Sequence, residues 1–256
     1  MKDLILPIVL LSFFVLSGQL VDQAAPQMAG VENDPFANFH QRWTPSMQKL
    51  FQLVRDDDGK VTHYVGAEVG TPYETIDFKK GHVWYKDEDL GEFYYRYNIF
   101  SNEIELKRTH LPEEKHQALI RDPNVVLAST TRDKEYFYLP FINDKTIKKE
   151  GYLIRLYNGS SFKLYKHLES KYTEAKPAAN SMVNPTPSKF TTFSSYLLQK
   201  KDGEIKEISL KKNKFLKQLD ASSAEKMKAY LKENKIDLSE ETQLIRAISH
   251  MEEAEL

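Results

Sequence analysis

The chain has 256 residues, 41% of them hydrophobic, and 36 Lys+Arg against 37 Asp+Glu leave a net charge of -1. That is enough apolar material for one sizeable core with a small appended unit, and the balanced charge gives no overall pull toward nucleic acid or anionic membrane. The absence of cysteine excludes disulfides, thiolate catalysis, zinc knuckles and iron–sulfur clusters, because each needs that sulfur.

The amino end, "MKDLILPIVLLSFFVLSG", has a positive charge at Lys2, an apolar run from Leu4 to Leu16 too short to span a bilayer comfortably, and small residues at Ser17 and Gly18. This is the layout of a secretory signal over 1–18 removed near Gly18, so the mature protein is expected outside the cytoplasm, periplasmic or secreted. With no cysteine after the run, a lipid anchor on that residue is excluded. Residues 19–43 show no hydrophobic period and carry Pro26 and Pro35, which reads as a linker. In "TPSMQKLFQLV", Thr44 can cap and Pro45 can fill a first turn, while Met47, Leu50, Phe51 and Val54 recur at helical spacing; "DDDG" at 56–59 then breaks the helix.

From Val61 to Leu210 the pattern becomes short alternating runs separated by turn chemistry, which predicts successive antiparallel strands within a β domain over 44–210. The 14 Tyr and 14 Phe against 2 Trp suit such pleated surfaces. Asn158-Gly159 and Asp202-Gly203 are two-residue hairpin signals, and short links predict a meander curved into an open sheet or partial barrel whose strands share one buried side. "YTEAKPAANSMVNPTPSK" at 172–189 has little to bury and reads as an excursion rather than a strand. Past Leu210 the period changes to helical. "NKFLKQL" is a short helix, Ser222 and Glu225 stand at capping-box spacing ahead of Met227, Tyr230 and Leu231, and a last helix carries Leu244, Ile245, Ile248 and Met251. Residues 211–256 are therefore expected to form a helical cap.

Within "YYRYNIFSNEIELKR", strand geometry puts Phe93, Tyr95, Tyr97 and Ile99 on one face and Tyr94, Arg96, Asn98 and Phe100 on the other. The first set reads as core. On the second, Arg96 can pair with Glu103 or Glu105 across strands, or, flanked by Tyr94, can present itself to sugars or anionic groups. The segments Gly70-Thr71-Pro72-Tyr73 and Arg96-Tyr97-Asn98 with the following Glu103 and Glu105 are the distinctive pieces by which the chain, over roughly Gly66 to Met251, resembles a group of uncharacterised secreted proteins of Bacteroidetes-type bacteria. The resemblance implies export and a shared architecture, and it transfers no catalytic residue.

Other constellations carry little. The seven histidines are scattered with no metal-binding spacing, and His110 and His116 around Glu113 and Glu114 read as a solvated loop, so no metal and no cofactor is expected. No nucleophile elbow, P-loop or dinucleotide fingerprint is present. Acids such as Asp87, Glu92, Glu103 and Glu105 can in principle pair for glycoside cleavage, yet exposed strand acids are usually a solvated face. Two functions follow. One is a non-enzymatic periplasmic or surface-associated module that binds a partner protein, envelope component or glycan through an aromatic sheet face, with Tyr73, Tyr94 and Arg96 as candidate contacts. The other is an envelope hydrolase using carboxylates on the sheet.

Overall fold

The structure, a computed structural model, describes residues 69–254 apart from 87, 179–181 and 183. The expected signal (1–18), linker (19–43), helix from Thr44 and nearly all of the strand from Val61 lie outside the described residues, as does Asp87.

Among the described residues ten strands follow one another: β1 (Lys79–Tyr85), β2 (Glu88–Asn98), β3 (Glu103–Lys107), β4 (Gln117–Ala118), β5 (Val125–Ser129), β6 (Glu135–Ile142), β7 (Lys148–Asn158), β8 (Phe162–Thr173), β9 (Lys189–Lys200) and β10 (Ile205–Ile208). Among the described residues three helices close the chain, α1 (Lys212–Leu216), α2 (Ala221–Glu233) and α3 (Glu241–Glu253). The strands form one sheet in the order β10-β9-β8-β7-β6-β5-β1-β2-β3-β4. Mainly antiparallel β structure with a helical unit at the carboxyl end is thus what the alternating pattern predicted. The meander has one step out of order: β5 pairs with β1 rather than with β4, so the first four strands and the last six are two runs joined across β1. Strand β10 also makes a parallel bridge to β6 at Lys206 and Ile142, which bends β6–β10 back on themselves without producing a clear barrel.

A single buried side holds for the first strands only. In β2 the core takes Phe93, Tyr95 and Tyr97; the two tyrosine rings meet Tyr136 of β6, and that of Tyr97 also meets Tyr152 of β7, edge-on at centroid separations of 5.7–5.9 Å. In β7 the run Tyr152–Leu153–Ile154 is buried on both sides. Tyr152 and Ile154 face the main core, whereas Leu153 joins Phe141, Tyr165, Leu197 and Ile205 in a smaller cluster enclosed by β6–β10. A third cluster lies under the helices, where Phe162, Leu164, Tyr196 and Ile208 of the sheet meet Phe215, Met227, Leu231, Leu244, Ile248 and Met251. The apolar stripes of the helices are therefore covered by the sheet and by one another. No helix among the described residues is long and apolar enough to cross a membrane.

Local details differ from the sequence expectation where tertiary contacts intervene. Helix α2 is capped by Asp220, which accepts from Ser223 N at 3.0 Å, in place of Ser222. The Asn158-Gly159 reversal is a longer loop and not a two-residue turn, with Gly159 N bonded to Phe162 O at 2.9 Å. Its shape is set from outside: the Glu252 carboxylate of α3 accepts from the backbone N–H groups of Ser160, Ser161 and Phe162 at 2.9–3.0 Å, and from the Ser160 hydroxyl at 2.5 Å. Glycine at 159 answers to space, because a Cβ there would stand 2.4 Å from Glu252 Oε2. The Asp202-Gly203 reversal likewise spans 201–204, with Lys201 at φ 53°. The excursion after β8 returns through a bridge between Lys176 and Thr186 and places Thr173 opposite Lys189.

Candidate functional site

The three residues singled out from sequence lie on the side of β2 opposite the main core, and the structure joins two of them. Tyr73 sits on a segment laid across the end of β2 by hydrogen bonds from Ile99 N to Pro72 O (2.8 Å) and Glu74 N to Tyr97 O (3.0 Å). Glu74 holds that segment from below, accepting from the Tyr136 hydroxyl at 2.6 Å and Lys134 Nζ at 2.5 Å. Tyr73 is thereby brought over Arg96, with 3.8 Å between the guanidinium and the ring centroid; the Phe78 ring is 4.5 Å away.

Register decides which acid Arg96 meets. Glu105 of β3 stands directly opposite it, and Arg96 Nε donates to Glu105 Oε2 at 3.0 Å with Nη2 donating to the same oxygen; Glu103 is taken instead by Arg121 at 3.2 Å. Asn98 Nδ2 donates to Glu105 Oε1 at 3.2 Å, and Arg96 Nη1 to Ile76 O at 3.2 Å. Glu105 is 5% exposed, so this ion pair is inside the protein. Burial, then the neighbouring Glu105 charge, pushes the Tyr73 hydroxyl above its ordinary pKa, the opposing pull of Arg96 notwithstanding. All three guanidinium nitrogens and both carboxylate oxygens are committed. The cluster of Tyr73, Arg96 and Glu105 fastens the 70–78 segment to the sheet and has little capacity left for a ligand.

Tyr94 belongs to a different setting. It remains half-buried on the solvent side, with Lys80 Nζ 5.4 Å from its ring centre and the His110 ring 5.5 Å away edge-on. The same side of β1 adds His82, whose Nδ1 is 3.1 Å from Asp89 Oδ2, and half-buried Trp84, with Arg132 5.0 Å from its ring centre. Lys80 pairs with Glu92 at 2.8 Å. Along the strand, Trp84 is four residues from the Lys80 that faces Tyr94, an offset along the backbone of roughly 13 Å. The result is a side of β1–β2 on which two half-buried aromatic rings stand beside the Lys80–Glu92 pair, the His82–Asp89 contact and Arg132. Trp84 was missed by sequence reasoning; its signal was the period-two spacing from His82 in "HVWYK", which puts it on the same side as Tyr94 only when the β1–β2 register is known.

Three of the four acids considered for hydrolysis lie among the described residues. Glu92, Glu103 and Glu105 are each held by a different cation, Lys80, Arg121 and Arg96. A separate cavity of about 520 Å³ lies where β9 and β10 meet the helices, with an apolar lining of Phe162, Leu198, Phe215, Leu219 and Met251 and with Asp144, Glu204, Glu207 and Asp220 also on its wall. Three of these acids have structural duties. Glu204 pairs with Lys206 at 3.0 Å, Asp220 caps α2, and Glu207 accepts from Asp144 N at 3.0 Å. Burial raises the Glu207 carboxyl above the ordinary range. His110 and His116 remain apart from any such cluster: Glu114 accepts from Arg108 N and Thr109 N at 2.7 Å, His110 meets Tyr94, and His116 Nε2 is 3.8 Å from Glu105. No group of histidines and carboxylates among the described residues could hold a metal ion. No protein-family model, curated protein or solved structure matches the chain.

Proposed function

We propose that the protein is an exported, non-enzymatic module of the bacterial envelope, periplasmic or surface-associated, which binds a glycan, another envelope component or a partner protein on the face formed by Trp84 and Tyr94. The observation that carries this is two half-buried aromatic rings on one solvent-facing side of β1–β2, bordered by the Lys80–Glu92 ion pair and the His82–Asp89 contact. Such rings offer contact area to the apolar faces of sugars or to a partner's side chains, and the flanking polar side chains can supply hydrogen bonds. Export is supported by the amino-terminal layout and by the resemblance to secreted Bacteroidetes-type proteins. Sequencing the amino terminus of the secreted protein should find a start just after Gly18.

The test of binding is retention of the mature protein on immobilised envelope polysaccharide and envelope extract. Trp84→Ala combined with Tyr94→Ala should lower retention about tenfold or more while leaving the fold intact. Arg96→Ala should instead lower the melting temperature and leave retention of the folded fraction unchanged. Wild-type retention of the Trp84 and Tyr94 double variant would refute the assignment. The hydrolase alternative keeps one supporting observation, the raised Glu207 carboxyl beside an apolar cavity. Release of new reducing ends from the polysaccharide by the wild type, abolished in Glu207→Gln, would select it.

A further inference from the structure

We infer that the open edge of β9 between Thr191 and Ser195 accepts an extended segment of a partner polypeptide by strand addition. Strand β8 covers one side of β9 along its whole length. On the other side β10 reaches only as far as the pairing of Ile208 with Tyr196, and Val69 pairs with Lys189 before the chain turns away at Gly70, φ +81°. Among the described residues, these stops leave a slot of five residues, about 17 Å long. Val69 N donates to Ser188 O and Phe190 N donates to Val69 O, which shows that even-numbered residues direct their backbone groups to this side. Thr192 and Ser194 therefore present two N–H and two C=O groups to the slot, and residues 192–194 are exposed.

The chemistry of this edge differs from that of two other strand stretches reaching past a neighbour. The part of β8 beyond β7 carries Glu169 and Lys171; the part of β2 beyond β3 carries Glu88, Asp89, Glu92 and a Gly91 at φ +110°. Charges and irregular backbone are the usual means of keeping an edge from pairing. Thr191-Thr192-Phe193-Ser194-Ser195 has none of them, and Phe193 is 56% exposed at its centre. Since Thr192 and Ser194 would form the hydrogen-bonded pairs, Phe193 falls at the closer, non-hydrogen-bonded position, where a cross-strand aromatic or β-branched side chain makes its best contact. The occupant is thus a short, proline-free, uncharged stretch of another protein, with such a residue opposite Phe193. A second copy of β9 does not fit. In an antiparallel register centred on Phe193, its Phe190 would fall beside Tyr196, where Ile208 already lies.

The test uses the full chain and a fluorescein-labelled pool of pentapeptides, the length the slot takes, randomised among Val, Thr, Tyr, Phe and Ser. Saturable binding is expected, with slowed hydrogen exchange at the Thr192 and Ser194 amides. Thr192→Pro, which removes an outward donor and no internal bond, and Phe193→Lys, which leaves the backbone intact and charges the edge, should each weaken binding about tenfold or more. Trp84→Ala should leave it unchanged, which separates this edge from the aromatic face. Absence of saturable binding, affinity unaltered by Phe193→Lys, or a concentration-dependent dimer that Phe193→Lys dissolves would each overturn the assignment.

Discussion

Strand β2 and strands β8–β9 bury their side chains in different ways, and the difference locates where ligands can be met. In β2, Phe93, Tyr95 and Tyr97 fill the main core while Tyr94 and Arg96 look away from it, so one whole side is left for polar work. In β8 and β9 both sides are used: Leu164 and Tyr196 lie beneath the helices, and Tyr165 and Leu197 lie in the curl of β6–β10. What remains accessible there is the backbone edge of β9 and a cavity at the helix junction. The first region offers side chains and the second an edge, which is why the two proposals rest on separate surfaces.

The strongest way to break this contrast is to remove the keystone of the one-sided region. Tyr97 is 1% exposed, meets Tyr136 and Tyr152, and donates to Asn102 Oδ1 at 3.0 Å. Tyr97→Ala should cost about 3–5 kcal/mol in denaturant unfolding, and a loss under about 1 kcal/mol would mean that the two sheet halves do not share this core. Next in size is the ion pair on the other side of the same strand. Arg96→Ala leaves Glu105 buried without its cation and should cost about 3 kcal/mol, whereas Arg96→Ala with Glu105→Ala should cost clearly less than the two single changes added. Additive losses would show that the pair is not what holds the 70–78 segment.

The helix-covered region is sharpened by smaller effects. Gly159→Ala sets a methyl against Glu252 and should cost about 1–2 kcal/mol; in a Glu252→Ala background the same change should cost much less, as read from melting curves of all four proteins. Acidification gives the smallest effect. Burial pushes the Glu241 carboxyl up, but hydrogen bonds from Lys166 (2.7 Å) and Tyr196 (2.9 Å) outweigh it and hold the carboxyl below its usual value, and the Tyr196 hydroxyl is in turn pushed up to about 12 by burial and by Glu241. Glu252 is lowered too, first by the Ser160 hydroxyl and then by the turn amides. A carboxyl that is depressed in the fold stabilises fully above the ordinary range of about 4.3 and loses that contribution as pH falls through the lower folded value. Helical ellipticity should therefore weaken below pH of about 4 before the tyrosine near-ultraviolet signal of the main core does; loss of both together would mean that α3 is not the more acid-sensitive part.

Much of the architecture could be read from the chain because period-two alternation is a local property. The strands β1–β3 and β5–β10, the change to helical spacing after Leu210, and the burial of Phe93, Tyr95 and Tyr97 all follow from which residues share a side of their own element. Alternation is uninformative where both sides are buried, and so Tyr152–Ile154 gave no hint of the smaller cluster enclosed by β6–β10. The candidate site was legible in part. Tyr94 and Arg96 were placed on the correct side, and Arg96 next to an acid, but the choice of Glu105 over Glu103 needed the β2–β3 register.

By itself the sequence determined the class of fold, the absence of sulfur chemistry, and the side of β2 on which polar and aromatic groups coexist, since each depends on composition or on spacing of a few residues. Only the tertiary structure decided that β5 returns to β1, that Tyr73 closes over Arg96 and spends it on Glu105, that Trp84 stands with Tyr94, and that five residues of β9 have no partner on one side among the described residues. Those outcomes depend on contacts between residues distant in the chain, whose free energies compete with one another at the surface and leave no periodic trace in the order of amino acids.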